Sequence, residues 1–444
     1  MRIQLPEAFL SRMKAQLRDS YDAFLRSMED DPVRGLRLNP LRPSGALQVA
    51  AYSSLEPIPW EKNGHYIPAA SEAGTTIWHE AGAFYIQDPS AMIPARVLNA
   101  QPGERVLDLC AAPGGKSTQI GADLNGQGLL VANEPVLKRA LILSRNIERM
   151  GIRNAIVINA MPSDLSVRWS DAFDAVLVDA PCSGEGMFRR EPMTRLEWSE
   201  AEAHGCADRQ RSILREAARM VRPGGRLVYS TCTYHPEENE LNVEWFLQQF
   251  PEYSLSPFRL EGIDGCNGYF TCYPHRTRGE GQFIALLKRE GDMQISSDRS
   301  ETRSLQVPST EEKRIMKEQF PSLPEATHRL GKTLIHLSAL PDLSGIRVLR
   351  AGLHLGEIRG KFFVPDHAVC QEAATEMGAA DVSAEDAIRY MAGEEMEGRA
   401  VGWTPIRCEN LVIGWGKGSN GVIKNHYPKG LRNNRLRKDD PGIC

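Results

Sequence analysis

Two cysteines and an aspartate mark where this chain has the means for covalent chemistry. Asp179-Ala-Pro-Cys182-Ser-Gly184 follows the apolar run Phe173–Asp179, and Ser230-Thr-Cys232-Thr-Tyr234 follows Arg226–Ser230. Both runs read as parallel strands, because strands covered on both faces are continuously apolar instead of alternating. Neighbouring strands lie about 4.8 Å apart, so thiols just past two adjacent strand ends can flank one flat, base-sized substrate. A single cysteine at a strand end is more often a small buried hydrophobe. Two of them, with an aspartate at the same edge, favour a site, since α/β sheets place ligands at the carboxyl ends of their strands.

These groups suit one reaction. Carbon 5 of cytosine is a poor nucleophile. A thiolate adding to carbon 6 creates an enamine and makes carbon 5 reactive toward a sulfonium methyl. A base must then remove the carbon 5 proton so that the thiol can leave. The attacking thiol has to be activated as its thiolate. A carboxylate near the ring nitrogen and exocyclic amine would recognise cytosine, and the target base must be exposed or flipped out of its stack.

A third stretch supplies a cofactor turn. Arg105 to Ser117 begins as a strand, Val106–Cys110, turns through Ala111-Ala112-Pro113-Gly114-Gly115 and reaches a helix start at Lys116-Ser117. Glycines let backbone approach a ligand, and a helix N-terminus offers free N–H groups. The run has three readings: a tight turn of any α/β fold, the end of a P-loop, or an S-adenosylmethionine site. A P-loop needs glycine where this chain has Cys110. Glu134 closes the next strand, where an acidic residue accepts from both ribose hydroxyls of an adenosine; a helix-start carboxylate is the plainer reading.

The elements that position these residues alternate as strands and helices. Strands are expected at Val106–Cys110, Leu129–Asn133, Ala155–Ile158, Phe173–Asp179, Arg226–Ser230 and Gln282–Leu287. Helices are expected at Ser90–Leu98, Val136–Met150, Arg209–Val221 and Pro236–Phe250, the last with Leu241, Trp245 and Phe246 on its apolar side. Arg222-Pro-Gly-Gly225 reads as a loop into the fifth strand. The fold class is α/β: a Rossmann-like sheet over 81–290, preceded by an α+β module over 1–80. In that module a helix from Pro6 buries Phe9, Met13, Leu17, Phe24 and Met28 and ends before Asp31-Pro32. Arg34, Arg37 and Arg42 either touch a polyanion or form a solvated face. A polar linker is expected over 291–312. A C-terminal α+β/β region covers 313–444, with β-like pieces at Gly345–Leu349, Gly356–Val364 and Leu411–Trp415 and helices near Glu372 and Glu385.

With 444 residues the chain has room for two or three domains. No apolar run is long enough to span a bilayer, and the first residues lack a signal core, so a cytoplasmic protein is expected. Nine cysteines without a regular framework read as reduced thiols. Cys266, Cys272 and His275 lack a second pair at zinc spacing, so no metal is expected. The net charge of −4 does not advertise nucleic acid, but Asn410 to Lys438 contains no acidic residue. A local basic surface can bind phosphates whatever the overall sign. A solvated, frayed tail is the plain alternative from Arg432 onward.

Asp108-Leu-Cys-Ala-Ala-Pro-Gly-Gly-Lys116, Asp179-Ala-Pro-Cys-Ser-Gly184 and Thr231-Cys-Thr233 together resemble the Sun (NSUN) family of RNA cytosine-5 methyltransferases. Pro32-Val-Arg-Gly-Leu-Arg-Leu-Asn39 is similar to the family's N-terminal module. Leu349-Arg-Ala-Gly-Leu-His354, Gly414-Trp-Gly-Lys417 and Lys424 to Arg432 are similar to the PUA-like region of the bacterial RsmF group, which modifies 16S ribosomal RNA. The resemblance implies Cys232 as nucleophile and Cys182 as the cysteine needed for product release. It implies S-adenosyl-L-methionine held by Cys110, Ala111, Ala112, Pro113, Gly114, Gly115 and Lys116, with Glu134 on the ribose. Asp179 then lies between methyl donor and cytosine, and Lys116 is an active-site contact. Arg139, one turn beyond Glu134, is a cofactor-side residue or a surface charge. The family's adenine-contacting acid is missing from the third strand end, which leaves Asn159 or Asp164 for that role. DNA cytosine-5 enzymes put their nucleophile in a Pro-Cys after the fourth strand; Thr231-Cys232-Thr233 argues for the RNA type.

The expected partner is 16S rRNA or the small ribosomal subunit, and the expected state a monomer without membrane or metal. A non-catalytic ribosome-assembly factor, a tRNA enzyme of the same chemistry and a P-loop ATPase are the alternatives.

Overall fold

The runs that are apolar on both faces form the centre of the fold. The computed structural model describes residues 3–42, 47–292, 305–440 and 442. Its largest sheet contains β1 (Arg105–Asp108), β2 (Leu129–Asn133), β3 (Ala155–Asn159), β4 (Phe173–Asp179), β5 (Val221–Thr231), β6 (Tyr253–Leu255), β7 (Tyr269–Cys272), β8 (Gln282–Arg289) and β9 (Arg347–Ala351). The strand order is β7-β8-β5-β4-β1-β2-β3-β9, with β6 pairing β8. β3, β2, β1, β4 and β5 are mutually parallel. β8 runs antiparallel to β5.

Alternate side chains of each strand enter two cores. Val106, Leu130, Val157 and Leu177 pack with Leu98, Ile120, Leu143 and Ile147 on one face. Leu107, Val131, Ile156 and Val176 pack with Leu214, Ala217, Val243 and Phe246 on the other. Strand order reverses beside β1, and that crevice is where such sheets take their ligands.

Several expectations are corrected. The fifth strand begins at Val221, not Arg226. Arg222–Gly225 is an irregularity in it, with register passing from Phe173↔Val221 to Ala175↔Arg226. The helix expected at Arg209–Val221 spans Glu200–Met220, because Ser199 accepts from the Glu202 amide and small Ala203 and Ala207 bury its first turns. The helix expected from Pro236 starts at Glu240 and buries Asn242, Val243 and Phe246; Leu241 is exposed. The N-terminal helix breaks at Leu17 and resumes at Tyr21, yet all five of its expected apolar residues are buried. The linker expected over 291–312 lies mostly outside the described residues; its end forms the helix Thr310–Gln319, with a Ser309 capping box.

The flanking regions close onto this central sheet. β9 comes from the C-terminal region and pairs antiparallel with β3, extending the sheet past its parallel edge. A three-stranded N-terminal sheet (Arg34–Leu38, Gly64–Ile67, Phe84–Ile86) shares a core with C-terminal residues, Trp78 and Phe84 meeting Tyr390, Ile406 and Leu436. Residues 433–440 are therefore docked, not frayed: Tyr52 Oη donates to Asp440 at 2.8 Å and Trp78 Nε1 to the Lys438 carbonyl at 3.0 Å. Of the early arginines, Arg37 and Arg42 are clips between modules, while Arg34 donates to the Ala69 and Ser71 carbonyls within its own. Buried Arg37 donates to the Gly115 carbonyl and to Thr118, and Arg42 to the Arg149 carbonyl.

Candidate active site

The glycine turn after β1 is pinned from both sides. Ala111 N–H donates to the Asn133 carbonyl at 2.9 Å, and Asn133 Nδ2 to the Leu109 carbonyl at 3.1 Å. Asn146 Nδ2 reaches the Pro113 carbonyl at 2.9 Å. Gly114 precedes the helix Gly115–Leu124 with φ +117°, where a side chain would be strained and its Cβ would lie 3.2 Å from Leu143. Cys110 is half-buried, and burial pushes its thiol well above the usual cysteine range, the Asp108 charge adding to this. Its backbone, not its sulfur, belongs to the turn.

Asp108 lies under that turn. Ser117 Oγ donates to its Oδ2 at 2.6 Å, while its buried Oδ1 has no hydrogen-bond partner among the described residues. Burial raises the carboxyl to about 7, with Ser117 opposing and Asp179 assisting. Glu134 is buried at the end of β2; its Oε1 accepts from Val136 N–H at 2.9 Å. Arg139 lies 3.3 Å from Glu134 Oε2 and donates to the Ala112 carbonyl at 3.0 Å, so it ties the acidic strand end to the turn. Asn159 Nδ2 donates to the carbonyls of Glu134 and Pro135 at 2.9 and 2.8 Å. Asn159 thus belongs to the Glu134 loop, while Asp164 is exposed in the short helix Pro162–Ser166.

These groups fit S-adenosylmethionine. An unpartnered buried carboxylate oxygen suits its ammonium, and a strand-end carboxylate suits ribose hydroxyls. Phosphate fits worse: three carboxylates surround the turn, and Lys116 is already engaged by Asp179.

Lys116 Nζ donates to Asp179 Oδ2 at 2.7 Å. Burial lowers the lysine's pKa, but the Asp179 charge and hydrogen bond override it, leaving the ammonium above its ordinary value. Ser230 Oγ and Gln282 Nε2 reach Asp179 Oδ1 at 2.7 and 3.4 Å. Asp179 and Ser230 are register partners across β4 and β5.

Past the same two strands the thiols meet: Cys182 Sγ lies 3.0 Å from Cys232 Sγ and accepts from Cys232 N–H at 3.2 Å. Both are free and half-buried. The hydrogen bond to Cys232 raises the Cys182 pKa well above its usual value, and burial and the Cys232 charge push the same way.

Residues that the sequence did not single out hold this pair. Glu238 is fully buried and accepts from Ser183 N–H at 3.0 Å and Gln210 Nε2 at 2.8 Å. Ser183 Oγ meets Thr233 Oγ1 at 2.9 Å, so the residue after each cysteine touches the residue after the other. Gly186 N–H donates to the Cys232 carbonyl at 2.9 Å; a Cβ on Gly186 would sit 2.8 Å from that oxygen. From the N-terminal helix, Arg12 pairs with buried Glu185, which accepts from Tyr234 N–H at 3.2 Å. The only sequence signal for Ser183, Glu185, Gly186, Thr233 and Glu238 was their nearness to the cysteine motifs; Arg12 and Gln210 had none.

Four family models tile the chain: N-terminal domain of 16S rRNA methyltransferase RsmF over 5–89, 16S rRNA methyltransferase RsmB/F over 95–288, RsmF rRNA methyltransferase first C-terminal domain over 314–370, and methyltransferase RsmF PUA domain over 379–433. Ribosomal RNA small subunit methyltransferase F from Cronobacter sakazakii is 30% identical, over 96% of each chain. The chain belongs to the RsmF methyltransferases. The protein of the same description from Vibrio vulnificus is 31% identical over 97% of this chain and 98% of its own. A methyltransferase homologue from Pyrococcus horikoshii superposes with TM-score 0.56 at 28% identity, over 65% of this chain and 96% of its own. NSun6 from the same organism, at 22% identity and TM-score 0.57 over 66% of this chain and all of its own, shares the fold. Members of the RsmF family are enzymes, and their cofactor is S-adenosylmethionine.

Proposed function

We propose that Cys232 and Cys182 methylate carbon 5 of cytosine in 16S ribosomal RNA by covalent catalysis. The observation that carries this is the 3.0 Å approach of the two sulfurs at the strand ends that also hold the Lys116–Asp179 pair. Cys232 Sγ adds to carbon 6 of the flipped base, and the electron pair of the 5,6 double bond moves toward carbon 5. The Asp179 carboxylate, fixed by Lys116, Ser230 and Gln282, accepts from the exocyclic amine and holds the ring. S-adenosylmethionine, when bound, supplies an electrophilic sulfonium methyl group. Cys182 then takes the carbon 5 proton, the double bond re-forms and the carbon 6–sulfur bond breaks.

The raised pKa of Cys182 has a use in this order of events. While Cys232 is free, its hydrogen bond and charge keep Cys182 protonated. Once Cys232 is bonded to carbon 6 both influences vanish and only burial and the Glu238 charge still oppose ionisation, so Cys182 gives up its own proton more easily when a base is required.

On this reading Cys110 to Lys116, Asp108 and Glu134 hold the cofactor, with Arg139 bracing Glu134. Asn159, whose amide already serves the Glu134 loop, offers its carbonyl oxygen to the adenine in preference to Asp164. The chain divides into an RNA-binding module over 1–80, the catalytic domain over 81–290, a linker over 291–312 and an RNA-binding C-terminal region over 313–444. The spans of the four family models support the order of these parts; the N-terminal model runs to residue 89 and the strand Phe84–Ile86 belongs to the N-terminal sheet, so that module reaches past 80, and β9 crosses from the C-terminal region into the central sheet. It acts as a cytoplasmic monomer. No helix among the described residues is long and apolar enough to cross a membrane. No cluster among those residues could hold a metal, and Cys272 is buried in the core.

Bisulfite sequencing of ribosomal RNA from cells with and without the gene tests the substrate. The reading requires loss of at least one 5-methylcytosine from 16S rRNA. Loss from tRNA alone would move the same chemistry to another substrate.

A further inference from the structure

A second site lies away from the cysteines. A cleft of about 540 Å³ opens between the hairpin Leu353–Arg359/Phe362–Pro365 and the strands Gly402–Cys408 and Leu411–Ser419. Half-buried Trp403 lines it, held on buried Trp415 with ring centroids 5.9 Å apart. Trp415 is itself fixed by an Nε1 hydrogen bond of 2.8 Å to the Asp366 carbonyl. His426 meets Trp403 edge-on at 4.4 Å. Exposed Lys417, the cross-strand partner of Trp403, has its ammonium 5.2 Å from the ring centroid. Arg359 stands on the opposite wall beside Glu357, 3.3 Å away.

We propose that this cleft binds one unpaired nucleotide of the RNA substrate, with its base stacked on Trp403 and its phosphate between Lys417 and Arg359. The proposal rests on the reading that RNA is the substrate. A rigid aromatic face flanked by mobile cations is what a single-stranded base with its phosphate requires. Lys417 is free to leave the ring for a phosphate, because it is exposed and long. Glu357 beside Arg359, with Glu148 and Asp366, also lines the cleft and can accept from the amino edge of a base. His426 is kept neutral by burial and by the charges of Lys417 and Lys424, so it can donate or accept without adding charge. A polar protein segment would not need the tryptophan face, and an apolar one would not tolerate the charged lining of Lys417, Arg359, Glu357 and Glu148. Duplex RNA presents no free base face.

Fluorescence anisotropy of the full chain with a labelled single-stranded RNA, and with a duplex of the same sequence, tests this without reference to methylation. Trp403→Ala is expected to weaken single-strand binding by about tenfold, Trp403→Phe by less than about threefold, and duplex binding by neither. Lys417→Ala should weaken binding and lower the salt dependence by about one ion. Unchanged single-strand binding in a folded Trp403→Ala chain overturns the proposal, as does an equal loss on duplex. Tryptophan-dependent binding by a chain that methylates no rRNA would sink the catalytic reading and leave this site standing.

Discussion

Cys182 Sγ sits 3.0 Å from Cys232 Sγ and also receives the Cys232 amide at 3.2 Å. One sulfur is thus oriented by the backbone of the other, and the two act as a unit. If Cys232 attacks and Cys182 takes the proton, Cys182→Ala stops the reaction after bond formation. With substrate RNA and cofactor it should accumulate a denaturation-resistant protein–RNA adduct. Cys232→Ala and the double variant should give none. An adduct of equal abundance from Cys232→Ala would reverse the roles.

Lys116 and Asp179 form a partly buried pair whose members each depend on the other. Asp179→Asn leaves an ammonium without its counter-charge, and Lys116→Met frees the carboxylate from its fixed geometry. Single-turnover rates at saturating RNA and cofactor should fall on the order of 100-fold or more in each. The double variant should be little worse than either, because residues acting together are not additive. Multiplicative losses would show that the two serve separate steps.

Asp108 gives the site a pH dependence. Its carboxyl lies near 7 because of burial, above an ordinary value of about 3.9. The neutral form therefore belongs to the ligand-free fold: its stabilising contribution is complete below the ordinary value and is lost as pH rises through about 7. A cationic cofactor needs the ionised form, roughly a tenth populated at pH 6 and nine tenths at pH 8 for such a group. Cofactor affinity should therefore rise about tenfold between those values, with proton release in titration calorimetry. Asp108→Asn should flatten the curve. A pH-independent affinity in the unaltered chain would contradict this account.

The sheet was legible because β1 to β5 are buried on both faces, so Val106-Leu107 and Val176-Leu177-Val178 needed no knowledge of their neighbours. The two thiols were legible because chemistry restricts what cysteines at adjacent strand ends can do. Glu238 was not, since a glutamate in Glu237-Glu-Asn-Glu240 reads as an acidic helix start, and only the fold turns it inward to Ser183 and Gln210. Leu241 misled because the apolar stripe of a short helix has two solutions. The structure chose the one that buries Asn242, whose Nδ2 donates to Gln210 Oε1 at 2.9 Å. β9 was readable as a strand, but periodicity carries no information about which edge a strand joins.

Arg12 and Glu185 couple the N-terminal helix to both cysteine loops. Glu185 is fully buried, and burial raises its pKa while Arg12 opposes the rise. Arg12→Ala leaves that carboxylate unpaired and should cost about 3–5 kcal/mol in urea unfolding. The loss should be larger at pH 8 than at pH 5, because without its partner the carboxyl can relieve the penalty only by binding a proton. Glu185→Gln in the same chain should recover part of it. A loss equal at both pH values would mean that Arg12 contributes by packing on Phe9, not by charge.

β9 makes the catalytic sheet depend on the C-terminal region. Arg347 is the register partner of Asn159 at the cofactor end of β3, and Arg350 Nη1 reaches Glu148 at 2.6 Å. Gly352 N–H donates to the Ala155 carbonyl at 2.8 Å. A chain ending at residue 290 would leave β3 as a bare, apolar edge, which invites pairing with other chains. Such a chain should sediment as larger species than the full chain does. Any soluble monomer should bind cofactor several-fold more weakly, because the Asn159 end of β3 has lost its partner strand. A truncated chain that stays monomeric with unchanged cofactor affinity would show that β9 covers the edge without supporting the site.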